Sequence, residues 1–240
     1  MEHELIICIP GPWQDRKDFL LRLVALEPMG RYMFAGFILA DVEAQDHVPV
    51  DFGCADDNMA AAFNYAGKGN VDAELLTRVA QHESVAYLHF PLDIVDQRER
   101  ILKYTQIIQR VGGIAVKVES AGVAHSWESW FGRLSGTPFD VYCAAVALIG
   151  DESCYYSCGM HHFGLPECEV SRSIPIAESA ELMNRFNFWQ ISERPLLSSG
   201  HTFSLTPTSP HFRLLLKNDT RHDGDSLFHN GCGIWSLSSD

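Results

Sequence analysis

The order of its apolar runs most constrains what this chain can fold into. Runs of strand length, ELIICIPG (4–11), SVAYLHFPL (84–92) and GIAVKVES (113–120), alternate with segments whose apolar residues recur at helical spacing. In DRKDFLLRLVALEP, Phe19, Leu20, Leu23, Val24 and Ala25 follow that spacing and Pro28 stops it. RYMFAGFILAD (31–41) and HVPVDFGCA (47–55) read as strands, and DDNMAAAFNYAG and VDAELLTRVAQH as helices. The clearest helix covers 94–111, with Glu99 and Lys103 as an i,i+4 pair and Gly112-Gly113 at its end. FDVYCAAVALIG (139–150) and CYYSCGMHHFG (154–164) read as two strands of a hairpin, IPIAESAELMNRFNFWQISER as the last long helix, and HTFSL and HFRLLLKN as final strands.

The order strand, helix, strand, strand, helix, strand therefore fits residues 4–92, and a similar order fits 113–216. It predicts an α+β fold: one domain over 1–216, built from two ferredoxin-like β-α-β-β-α-β halves (1–92 and 113–216) joined by helix 94–111. Its sheets should be largely antiparallel with helices on one face, and 217–240 should form a polar C-terminal tail.

Composition narrows the partners. With 18 Lys and Arg against 31 Asp and Glu the net charge is −13, and no cationic cluster stands out. That argues against nucleic acid and anionic membranes and suits a basic protein partner. No apolar run nears the roughly 20 residues of a membrane span, and the acidic start MEHEL lacks the charge of a signal peptide, so a cytoplasmic protein is expected. The seven cysteines are odd in number and sit mostly within apolar runs, as buried thiols rather than a disulfide framework.

Candidate chemistry concentrates at predicted strand ends. In CYYSCGMHHFGLPE (154–167) a strand would hold Cys154 and Cys158 about 13 Å apart, too far for one zinc or a disulfide. Strand alternation would also send His161 and His162 to opposite faces, one into a packed interior and the other toward solvent or a groove. The pair then reads either as buried, hydrogen-bonded histidine or as a metal ligand or catalytic group. Lys117 and Glu119 would share a face and pair. Ser126 reads as an N-cap after His125, and Ser198–Thr202 as a turn holding His201. No nucleophile elbow, phosphate loop, zinc-protease helix or dinucleotide fingerprint is present, so no cofactor is expected. What remains is a constellation of Glu119, His125, His161, His162 and His201, able to act as a His–carboxylate site if those strand ends converge.

Gly159, Phe163, Gly164, Glu167 and Glu169, followed after a helix by Gly200, His201 and Thr202, resemble the signature of the bacterial domain-of-unknown-function family 4261. The match lies mainly over 155–216, with His201 where many members carry an acidic residue. The resemblance implies a bacterial origin and supplies no mechanism. Two functions are expected on these grounds: a non-enzymatic protein-binding module of the immunity or adaptor kind, or a metal-dependent or His/Glu acid–base hydrolase, with His161 and His162 as the metal candidates.

Overall fold

The computed structural model describes residues 4–239. The chain divides into two compact units, one ending at Thr137 and the other starting at Pro138.

The first unit runs β1 (Glu4–Gly11), α1 (Arg16–Leu26), β2 (Tyr32–Ala35), β3 (Ile38–Asp41), β4 (Asp46–Cys54), α2 (Met59–Gly67), α3 (Ala73–Ala80), β5 (Ser84–Pro91), α4 (Ile94–Arg110), β6 (Val116–Val118), β7 (Val123–His125) and α5 (Trp127–Leu134). Its strands form one seven-stranded antiparallel sheet in the order β2-β3-β4-β5-β1-β6-β7. Asp15, Asp72, Asp93 and Ser126 accept backbone N–H groups at the starts of α1, α3, α4 and α5, satisfying donors that a helix cannot use itself. On one face Phe19 of α1 packs edge-on against Phe34 and Phe52, each 5.0 Å away between ring centres. On the other face Met59, Phe63, Leu75 and Val79 of α2 and α3 bury Cys8, Val85 and Ala124. The helices thus lie on both faces of this sheet.

The second unit runs α6 (Pro138–Ala145), β8 (Ala147–Gly150), β9 (Cys154–Cys158), a single 3₁₀ turn (Met160–Phe163), β10 (Glu167–Ser171), α7 (Ile176–Glu193), β11 (Thr202–Phe203), β12 (Phe212–Lys217) and β13 (Ile234–Ser239). Its sheet has the order β11-β12-β13-β10-β9-β8, with β10 and β13 parallel. Leu182, Met183 and Phe186 of α7 pack on Cys168, Val170, Trp235 and Leu237, which fill one face.

The α+β class is as expected, but the pair of ferredoxin-like halves is not what forms. Gly36, with φ of +64°, turns RYMFAGFILAD back on itself, so one expected strand becomes the β2–β3 hairpin. The first unit gathers seven strands in the order β2-β3-β4-β5-β1-β6-β7, and helices pack on both faces of the sheet instead of one. FDVYCAAVALIG starts as helix α6, because Val141, Tyr142, Ala144 and Ala145 bury at helical spacing behind Pro138; only its last residues form β8. The stretch expected as a polar tail ends in β13, which lies between β12 and β10.

Candidate functional site

In the first unit the sheet places Cys8 between Tyr87 and Lys117. Lys117 Nζ lies 2.8 Å from Glu119 Oε2, the ion pair expected from their spacing. The Cys8 thiol hydrogen-bonds Glu119, and burial followed by that carboxylate's charge holds it protonated, far above the ordinary thiol range. Burial likewise pushes the Tyr87 hydroxyl up. The row is therefore a neutral thiol and phenol around one ion pair, with no activated nucleophile.

His125 does not join it. Its strand partner is Val116, while Lys117 pairs with Ala124, so His125 faces the opposite side of the sheet from Lys117 and Glu119. There it is buried against the Trp130 ring at 5.6 Å, with Nδ1 3.4 Å from Ser129 Oγ. Glu119 and His125 thus form no acid–base pair.

In the second unit His161 and His162 do not alternate across a strand. Gly159 takes φ of +125°, where any Cβ would meet the Ala145 carbonyl oxygen, and the chain then coils into the 3₁₀ turn. Both rings are buried, with centres 4.1 Å apart and planes tilted by 57°. Beneath them lies Glu167, itself buried, whose carboxylate accepts from Ser157 Oγ (2.7 Å), Gly159 N (3.0 Å), Met160 N (2.8 Å) and Asn230 Nδ2 (3.1 Å). His161 Nδ1 stands 3.4 Å from the same carboxylate. Burial, then the neighbouring His161, hold the His162 imidazole well below its usual range, so it is neutral. The arrangement gathers two histidines and a carboxylate but seals them from solvent, and its bonds tie the turn to β9, β10 and Asn230. His201 lies apart, exposed in its own turn, where Ser198 N donates to its Nδ1 at 3.4 Å. Among the described residues no group of three His, Cys, Asp or Glu is placed to hold a metal ion.

Cys154 and Cys158 are buried on a strand as expected, and among the described residues no disulfide forms. Sequence reasoning missed Glu167 as the anchor of the turn. It also missed Asn230 and Arg221, which fall in the stretch read as a tail. The one available signal was a Glu close behind a Gly–Gly-bounded turn, because backbone N–H groups in such a turn need an acceptor.

One further surface is open. Along β2, β3 and β4 the side chains of Tyr32, Phe34, Leu39, Val48 and Val50 are buried, whereas Met33, Ile38, Pro49 and Asp51 on the opposite face are exposed. Helices α2 and α3 pack instead on Cys8, Val85 and Ala124 of β1, β5 and β7.

No family model, no curated protein and no solved structure matches the chain. The resemblance to domain-of-unknown-function family 4261 is thereby overturned, and the bacterial origin inferred from it loses its basis. Short glycine-and-glutamate signatures recur wherever a tight turn needs backbone acceptors, and here Gly159 and Glu167 have that structural role. No described helix is long and apolar enough to cross a membrane.

Proposed function

We propose that the chain is a protein-binding module, immunity- or adaptor-like in action, whose first unit docks a basic protein on the open face of β2–β4. The observation that carries this is the alternation along those strands. A sheet that buries one face completely leaves Met33 and Ile38 on the other, 53% and 43% exposed. Apolar side chains set on a rigid sheet are suited to the dry centre of an interface. Exposed carboxylates of Glu4 and Asp51, bridged by His89 at 2.8 and 3.3 Å, flank the same face. With a net charge of −13 they favour a partner of opposite sign and a fast, salt-sensitive approach.

The test compares the chain with its Met33→Asp/Ile38→Asp variant. Both residues are exposed, so the variant should unfold at the same urea concentration as the parent. A basic protein retained from the native host should bind the variant at least tenfold more weakly, a change of about 1.4 kcal/mol or more. Its association rate with the parent should fall as salt rises, and hydrogen exchange in the complex should slow over 32–51. A partner that the variant binds equally well, or protection confined elsewhere, refutes the assignment.

A further inference from the structure

An open groove of the second unit lies on the face of its sheet that α7 does not cover, with a volume of about 610 Å³. Glu169 projects into it from β10, between Tyr156 and Ser236 on the neighbouring strands. Its two oxygens hold two cations: Lys217 Nζ at 2.8 Å and Arg221 Nη2 at 2.7 Å. Arg221 also lies 2.6 Å from Cys154 Sγ and stacks over the Tyr156 ring at 4.6 Å. Its position is set from behind, because Arg221 N and Asn230 N both donate to the buried carboxylate of Asp219, at 2.9 and 3.0 Å. Burial works against ionisation of Asp219, but these bonds and His222 outweigh it and hold the group below the ordinary carboxylate range. The guanidinium is therefore preorganised rather than held by a free loop.

The donors in this groove outnumber the acceptors. A guanidinium and an ammonium offer eight N–H groups between them. Glu169 supplies two oxygens, Asp151 stands 3.7 Å from Arg221, and the buried Nε of Arg221 finds no acceptor among the described residues. Hydroxyls of Ser171, Ser236 and Ser238 line the same groove and can donate as well. Cys154 is no nucleophile here: burial outweighs the arginine and raises its thiol, which donates to Asp151 at 3.5 Å. A groove whose N–H and O–H donors exceed its carboxylate oxygens is complementary to an acceptor-rich ligand. We infer that this groove binds a small multivalent oxyanion across Lys217, Arg221 and the serine hydroxyls of β10 and β13. This assignment is independent of the protein-docking face in the first unit.

Pyrophosphate and citrate, titrated into the full chain at constant ionic strength, separate a phosphate source from a carboxylate one. The readout is the amide NMR spectrum. Amides of 169–173, 217–221 and 236–239 should shift along a saturating curve for at least one probe, with half-saturation below about 10 mM. Lys217→Gln removes a half-exposed side chain and should leave the spectrum dispersed while weakening that binding about tenfold, the value of one charge-assisted contact. Saturation by pyrophosphate alone identifies a phosphate-bearing ligand, and by citrate alone a carboxylate-bearing one. Shifts that stay linear with both probes, or saturable binding that Lys217→Gln leaves unchanged, overturn the inference.

Discussion

Glu167 shows how one residue can organise a segment that looks catalytic. Its carboxylate is held by Ser157, Asn230 and backbone N–H groups of the chain that wraps it. Glu167→Ala would leave the Ser157 hydroxyl, two backbone N–H groups and one of the two Asn230 side-chain N–H groups buried without this acceptor, while Asn230 keeps its bond to Leu165 O. The expected loss is about 3–5 kcal/mol, read as a lower urea midpoint with an unchanged slope, and Glu167→Gln should lose less because one oxygen remains. His162 adds a pH dependence of known sign. Burial depresses its folded-state ionisation, so below about pH 6.5 the unfolded chain takes up a proton that the folded chain refuses. Stability from this group is complete above that pH and is lost as pH falls, by up to about 1.4 kcal/mol per pH unit, until the folded state is protonated too. Urea midpoints measured from pH 7 to 5 should fall more steeply for the parent than for His162→Gln. Equal slopes would place the ring in a more solvated setting than its burial indicates.

At the scale of elements, the sequence was legible where one period held without interruption. Helices α1, α3, α4 and α7 and strands β1, β4, β5 and β9 lie close to their expected positions. Legibility failed where a single glycine reversed the chain, at Gly36 and Gly159, because both positions continue an apolar run that local pattern alone reads as strand. It failed again at β13. Ile234, Trp235 and Leu237 are apolar and buried, but they sit beyond a long polar stretch, and only their pairing with β10 and β12 makes them a strand. A chain ending at Lys217 should therefore lose the fold of the second unit, not just a tail. Three such side chains contribute roughly 5–9 kcal/mol on burial, comparable to the whole stability of a domain. Near-ultraviolet circular dichroism and limited proteolysis of that truncation should report loss of tertiary structure in 138–217. Retention of a protease-resistant second unit would show that β13 is dispensable.

For the molecule as a whole, net charge was readable at once and remains the reason to expect a basic partner whose association weakens with salt. Its distribution was not readable. Lys217 and Arg221 are isolated cations in an acidic sequence, and the sheet and the Asp219-centred loop bring them onto one carboxylate. Periodicity in the sequence determined the mixture of helices and strands, the burial of Cys8, Cys154, Cys158 and Cys168 (though not of Cys54 and Cys232, which are exposed) and the Lys117–Glu119 pair, because these depend on neighbours a few residues apart. Tertiary structure alone decided that His161 and His162 meet over a buried glutamate, that His125 and Glu119 part to opposite faces, and that the polar end of the chain completes a sheet. Those outcomes depend on strand order and on turns closed by contacts between distant residues, such as Asn230 on Glu167, 63 residues apart, and no local pattern encodes such distances.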